Sequence, residues 1–144
     1  MIKELNVIDR EEKTQRRPDW LRVKLPSGEK FKEVADTIQK NSLNTVCAEA
    51  RCPNIGECWG NGTATFMILG DVCTRSCSFC AVKTGRPVQG LDWDEPRRVT
   101  DAAKKMDLKH VVITSVNRDE RDDGGAPIFA ECHRMLRDEI PGVT

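Results

Sequence analysis

The chain has no surplus of charge of either sign. Its 23 Lys and Arg balance 23 Asp and Glu, which removes the overall basic field that would draw it to nucleic acid. Nor does it have a long apolar run. The longest, Phe66 to Leu69, is strand-sized, against the roughly 20 residues a membrane helix requires. No apolar signal segment opens the sequence. Histidine is scarce, with His110 and His133 the two present, and both read as surface or helix-face side chains. These absences predict a soluble, cytoplasmic chain with no membrane and no nucleic-acid partner. At 144 residues it is long enough for one domain with a core of its own. The modest 38% hydrophobic and high 32% charged content also fits a fragment that lacks part of its core.

What is present in quantity is cysteine. Six of the seven fall in two tight triplets: Cys47, Cys52 and Cys58, spaced C-x4-C-x5-C, and Cys73, Cys77 and Cys80, spaced C-x3-C-x2-C. The odd count and the missing signal segment argue against a disulfide framework. Zinc is the stronger rival, because sites of four cysteines or of three cysteines and a histidine are common. Zinc knuckles usually come as C-x2-C pairs, however, and only Cys77 and Cys80 form one here. Thiolates are also the ligands of iron–sulfur clusters, whose cubane form has four irons to ligate. A cluster held by three cysteines keeps one iron open for a non-cysteine ligand. Two such groups so close together suggest two reactive clusters in an enzyme.

The segment from Met1 to Pro18 is polar and charged. Its composition predicts a solvated leader, the functional counterpart being an arm that closes over a site. From Gly28 to Lys40, Phe31, Val34, Ala35 and Ile38 recur at i, i+3, i+4 and i+7, the pattern of an amphipathic helix. Pro53, Asn54 and Gly56 place the first triplet on an irregular, turning loop. Thr63 to Leu69 reads as a buried strand ended by Gly70 and Asp71, with the second triplet at its carboxyl end. A helix follows, with Asp94 as N-cap, Pro96 in the first turn, and Val99, Ala102, Ala103 and Met106 as its apolar stripe.

His110 to Ser115 is a β-branched, nearly continuous apolar strand of the kind found in parallel sheets. A polar loop from Val116 to Gly125 leads to another helix, predicted to turn Ile128, Phe129, Cys132, Met135 and Leu136 inward. Cys132 therefore reads as a small core residue. Pro141 and Gly142 form a turn, and Val143 and Thr144 start a further strand. This order predicts an α/β fold: an incomplete β/α barrel of the TIM type, with an N-terminal cluster-binding extension. The expected divisions are 1–44 for the extension with one amphipathic helix, 45–62 for the first cysteine segment and 63–144 for the first part of the barrel. Reactive groups of such barrels collect at the carboxyl ends of the strands, where both the Cys73–Cys80 loop and the Val116–Gly125 loop lie.

The run Cys73-Thr-Arg-Ser-Cys-Ser-Phe-Cys80 resembles the signature of radical S-adenosylmethionine enzymes, including aromatic Phe79 before the last cysteine. Within that superfamily, Cys47 through Cys52-Pro-Asn-Ile-Gly-Glu-Cys58-Trp59 resembles the auxiliary-cluster motif of lipoyl synthases. Pro18-Asp-Trp-Leu-Arg22, Gly85-Arg-Pro87, Thr114-Ser-Val-Asn-Arg-Asp119 and Asp123-Gly-Gly-Ala126 are similar to that family too.

The resemblance implies that Cys73, Cys77 and Cys80 hold a [4Fe–4S] cluster whose open iron binds S-adenosyl-L-methionine. Reductive cleavage there would give methionine and a 5′-deoxyadenosyl radical. Cys47, Cys52 and Cys58 would hold a second [4Fe–4S] cluster, consumed as sulfur source. Phe79, Asn117, Arg118 and Asp119 would lie at the S-adenosylmethionine. The implied substrate is an octanoyl group on a lipoyl carrier domain, of 2-oxoacid dehydrogenase complexes or of the glycine-cleavage H protein, receiving sulfur at C6 and C8. Flavodoxin or ferredoxin is the implied kind of electron donor. In that family a serine near the carboxyl terminus completes the auxiliary cluster. This sequence does not contain that region, so the resemblance implies the amino-terminal part of such an enzyme, inactive alone. A biotin-synthase-like enzyme, the rival within radical chemistry, leaves the upstream triplet without a purpose.

Overall fold

The computed structural model describes Pro18, Leu21 and residues 25–144. The polar leader and most of the Pro18–Arg22 stretch lie outside the described residues. Among the described residues, five helices and five strands follow one another: α1 (Glu29–Lys40), β1 (Asn44–Thr45), α2 (Val46–Glu49), α3 (Ile55–Gly60), β2 (Thr65–Ile68), β3 (Val72–Cys73), β4 (Lys83–Thr84), α4 (Glu95–Lys105), β5 (Val112–Ser115) and α5 (Ala126–Glu139). No described helix is long and apolar enough to cross a membrane.

The central sheet has the order β1-β2-β5. β2 and β5 run parallel, Thr65 opposite Val112 and Ile68 opposite Ser115. Parallel neighbours need a crossover, and α4 provides it between them. The other edge of β2 is covered by the two residues of β1, antiparallel, with Asn44 opposite Met67 and Thr45 opposite Phe66. A strand this short has no periodicity to read, and only its tertiary pairing reveals it. Val143 and Thr144 come alongside the start of β5. Thr144 donates to Lys109 O at 3.1 Å and accepts from Val111 N at 2.8 Å, the bridging pattern of a parallel neighbour.

The core forms where α4 and α5 pack on this sheet. Phe66, Ile68, Val99, Ala102, Ala103, Ile128 and Cys132 are all fully buried. The α4 stripe of Val99, Ala102, Ala103 and Met106 is buried as its spacing predicts, and its two alanines let neighbouring elements approach closely. Buried Thr100 donates its hydroxyl to Pro96 O at 2.9 Å, so its polar atom costs little.

On α5 the buried stripe is Ile128, Cys132 and Leu136, at i, i+4 and i+8. Phe129, expected inward, is 36% exposed, because one residue further round the helix is a rotation of about 100° away from that stripe. Strand β5 differs from expectation in the same direction. Val112 is 41% exposed, since no described strand pairs along the far edge of β5 beyond Thr144. Along α1, Val34 and Ile38 are buried while Phe31 and Ala35 are half-buried, which matches its amphipathic pattern. Arg98 of α4 donates Nε to Asn41 O at 2.9 Å and ties the segment after α1 to the main layer.

Candidate metal centre

The first triplet is wound on two short helices, where the sequence predicted an irregular loop. Thr45 ends β1 and caps α2, its Oγ1 accepting from Ala48 N at 3.2 Å, and Cys47 follows in the first turn. Arg51, at φ +49°, reverses the chain. Cys52 N then donates to Cys47 O at 3.0 Å, and Cys58 N donates to Asn54 O at 3.0 Å in α3. Four- and six-residue helices lack a full apolar repeat, so tertiary packing decides them. The packing comes from Trp59, which is 6% exposed and lies with its ring centroid 5.3 Å from that of Phe31 on α1.

Cys47, Cys52 and Cys58 are free and half-buried. Burial pushes the Cys58 thiol up, and the neighbouring Cys47 and Cys52 thiols push it further.

The second triplet starts where β2 ends. Leu69, at φ +72°, turns out of the strand and Gly70, at φ +98°, continues the turn. A left-handed residue with a side chain costs roughly 1–2 kcal/mol, so surrounding contacts must hold Leu69 there. β3 and β4 pair in parallel, Val72 opposite Lys83 and Cys73 opposite Thr84, and Gly85 N donates to Cys73 O at 2.9 Å. This small ribbon closes the base of the loop. Cys80 N donates to Cys77 O at 3.0 Å in a tight turn. Cys73 is half-buried, whereas Cys77 and Cys80 are exposed; Phe79 between them is 91% exposed.

Residues after β5 grip this loop. Asn117 N donates to Cys73 Sγ at 3.3 Å, and Thr74 N donates to Asn117 O at 3.1 Å. Thr74 Oγ1 lies 2.6 Å from Asp119 Oδ2 and accepts from Asp119 N at 3.1 Å. Arg75 forks onto the Asp119 carboxylate, Nη2 to Oδ1 at 2.8 Å and Nε to Oδ2 at 3.0 Å. Its guanidinium, with Thr74, holds the Asp119 carboxyl down at about 2. Hydrogen bonding to Asp119 raises Arg75 in turn, and Cys77 and Cys73 add to the effect.

The three residues of the second loop singled out from the sequence therefore part ways. Asn117 and Asp119 meet the cysteine loop. Arg118 turns inward, 6% exposed, and gives Nη1 to Leu69 O at 2.9 Å, Nη2 to Gln89 O at 2.9 Å and Nε to Glu120 at 2.5 Å.

Sequence reasoning missed Thr74, Arg75 and Glu95. Glu95 is 5% exposed, and its Oε2 accepts from Leu69 N at 2.8 Å. Burial raises its carboxyl, a shift that the Leu69 and Gly70 amides oppose. The one hint in the sequence was an acidic residue directly before Pro96, which reads as an ordinary helix start. Asp94 sits at the N-cap position without a capping bond from its side chain; Asp92 Oδ1 instead accepts from Asp94 N at 2.9 Å. Glu95 and Arg118 both border a cavity of about 420 Å³ that Leu69, Gly70, Asp71 and Val72 also line. Cys132 is fully buried, its thiol pushed up to about 12 by desolvation. His110 and His133 are both exposed.

Among the described residues, no three His, Cys, Asp or Glu side chains converge closely enough to share a single metal ion. The donor set itself is three free thiols on each of two short segments, the α2–α3 stretch and the loop after β2. That chemistry fits iron–sulfur clusters, which thiolates bind.

The family model described as the radical SAM superfamily matches residues 67–144, the span from β2 through the cysteine loop, α4, β5 and α5. The chain belongs to the radical SAM superfamily. Residues 2–52 of this radical SAM chain also match the model of the N-terminal domain of lipoyl synthase.

Similar proteins include the lipoyl synthase of Rubrobacter xylanophilus, 64% identical over 88% of the chain and 39% of that relative. The lipoyl synthase of Flavobacterium johnsoniae is 57% identical over 89% of the chain and 44% of its own length. The mitochondrial lipoyl synthase of Nematostella vectensis is 56% identical, with the same 89% and 44% coverage. The radical SAM chain thus spans 39–44% of the length of these relatives, and it matches their N-terminal portion.

Proposed function

We propose that the chain is the amino-terminal part of a lipoyl synthase, an enzyme that inserts sulfur at C6 and C8 of an octanoyl group carried on a protein. The observation that carries this reading is the pairing of two distinct cysteine triplets in one chain. One is on the α2–α3 segment and the other at the carboxyl end of β2. Cys73, Cys77 and Cys80 would hold one [4Fe–4S] cluster, and Cys47, Cys52 and Cys58 the second. When bound, these groups supply reductive cleavage of S-adenosyl-L-methionine and a source of sulfur.

The protein's own residues position and shield. The β3–β4 ribbon and the Thr74–Asn117 bonds fix the base of the Cys73–Cys80 loop, while Arg75 ties it to Asp119 in the turn after β5. Phe79, Asn117 and Asp119 would contact S-adenosylmethionine, while Arg118 is spent on the Leu69 and Gln89 carbonyls and on Glu120. Residues 1–44, 45–62 and 63–144 would serve as extension, auxiliary-cluster segment and first part of a β/α barrel. The parallel β2–α4–β5 unit and the bridge from Thr144 to β5 support the barrel. The partners are an octanoylated carrier domain and a small electron-donor protein such as a flavodoxin or ferredoxin. The reduced thiols fit a cytoplasmic setting.

Anaerobic reconstitution with iron and sulfide tests the proposal. Two four-iron clusters give about eight irons per chain. Cys73→Ala and Cys47→Ala should each remove about half of that iron, independently of one another. A colourless chain with stoichiometric zinc would sink the reading. The isolated 144 residues are expected not to turn over an octanoylated carrier domain, because the serine ligand implied by the resemblance lies outside them.

A further inference from the structure

We propose that Glu95 and Arg118 are positioning residues that lock Leu69 in its left-handed turn and so set the direction in which β2 delivers the Cys73–Cys80 loop. The consequence for a cluster rests on the function proposed above; the lock itself does not.

Leu69 is the point at which the sheet lets go of the chain. The last ladder bond runs from Val116 N to Ile68 O at 3.3 Å, and the next residue takes φ +72°. Both backbone groups of Leu69 are then claimed by buried side chains from different elements. Its N–H donates to Glu95 Oε2 at 2.8 Å, and its carbonyl accepts from Arg118 Nη1 at 2.9 Å. Glu95 opens α4 next to Pro96, so the helix start fixes its backbone. Arg118 stands two residues beyond buried Val116, and its remaining nitrogens are held by Gln89 and Glu120.

A third element closes on the Leu69 side chain. Gly125, at φ +83°, faces it so closely that a Cβ there would stand 2.7 Å from Leu69 Cδ1. The starts of α4 and α5 and the loop after β5 thus converge on one residue, four positions before Cys73. All three donor atoms of the Arg118 guanidinium are spent on the protein. This geometry describes a lock rather than a ligand site.

The essential property is an acceptor at the reach of a glutamate, which separates the lock from a general need for buried charge. The test uses the 144-residue chain with Glu95→Gln, Glu95→Asp and Glu95→Ala. Amide hydrogen exchange is followed without metal, and the electron paramagnetic resonance signal of the reduced, reconstituted chain is recorded alongside. Gln keeps the acceptor at full reach and should preserve slow exchange at Leu69 and Gly70. Asp keeps the charge but is one methylene short. It should speed exchange at those two amides by roughly tenfold or more, with Phe66–Ile68 and α4 still protected.

Asp should also broaden the signal assigned to the Cys73–Cys80 loop and leave the iron lost in Cys47→Ala unaffected. If Asp retains protection while Gln loses it, charge rather than reach is at work and the proposal fails. Unchanged exchange in a folded Glu95→Ala chain overturns it as well. If the wild-type chain takes up no iron, the cluster assignment falls, and the exchange data still decide the lock.

Discussion

Arg75 and Asp119 face each other as a two-pronged pair, Nη2 to Oδ1 at 2.8 Å and Nε to Oδ2 at 3.0 Å, across a separation of 44 residues. Arg75 lies between Cys73 and Cys77, so the pair fastens the proposed cluster loop to the turn that follows β5. Both side chains are largely exposed, 62% and 46%, and an exposed pair contributes little to global stability. Its effect should be local and readable in the titration of Asp119. In the wild-type chain that carboxyl should titrate at about 2, and in Arg75→Gln it should move back toward the ordinary aspartate value of about 3.9.

The sign follows from linkage. A lowered folded-state value gives a contribution present above about 3.9 and lost as pH falls toward the folded value. Carbon NMR of the Asp119 side chain measures both forms. An unchanged titration in Arg75→Gln would show that the pair does not set it.

The two phenylalanines of the β2 and α5 layer should respond in opposite ways. Phe66 is fully buried in β2, so Phe66→Ala removes packing and leaves a cavity, at a cost of about 3–5 kcal/mol. Phe129 is 36% exposed and off the buried stripe of α5, so Phe129→Ala should cost less than about 1 kcal/mol. Urea denaturation of the two variants gives the comparison directly. Equal losses would mean that Phe129 packs as its sequence spacing suggested.

That contrast shows where the sequence was legible. The apolar stripe of α4 could be read because Val99, Ala102, Ala103 and Met106 repeat over about two turns and all point at one layer. In α5 the same pattern carried an extra apolar residue, and only the packing partner decides which of Ile128 and Phe129 goes in. The cysteine triplets were visible because each gathers three cysteines of a rare residue type within twelve or eight consecutive positions. Their supports were not. Glu95 meets Leu69 across 26 residues and Arg118 meets it across 49, and composition carries no trace of such pairings. β1, α2 and α3 escaped for a related reason, since elements of two to six residues are made by their neighbours.

Gly125 should be irreplaceable only while Leu69 is present. Gly125→Ala places a side chain on a residue at φ +83° and pushes its Cβ to 2.7 Å from Leu69 Cδ1. Left-handed strain and overpacking together predict a loss of about 2–4 kcal/mol. Leu69→Ala removes the obstructing atoms, so in that background Gly125→Ala should cost only the backbone share, about 1–2 kcal/mol. A double-mutant cycle in urea isolates the contact. Strictly additive losses would show that the two residues do not press on each other.

Cys132 should behave unlike the six cysteines of the triplets. It is fully buried, and desolvation raises its thiol to about 12, so thiolate is scarce and access is closed. Alkylation of the folded, metal-free chain at pH 8 should modify exposed Cys77 and Cys80 rapidly and spare Cys132, and mass mapping reads this out. The same shift makes a stability prediction. Its folded value lies above the unfolded value of about 8.5, so the folded state holds the proton more tightly. The resulting stabilisation is complete below the unfolded value and declines as pH rises toward about 12. Cys132→Ala lowers stability by a cavity cost at every pH, but it should abolish this slope. The gap between wild type and variant should therefore narrow as pH rises through that window, as followed by thermal melts. A gap that stays constant would mean that Cys132 ionises as readily in the folded chain as in the unfolded one.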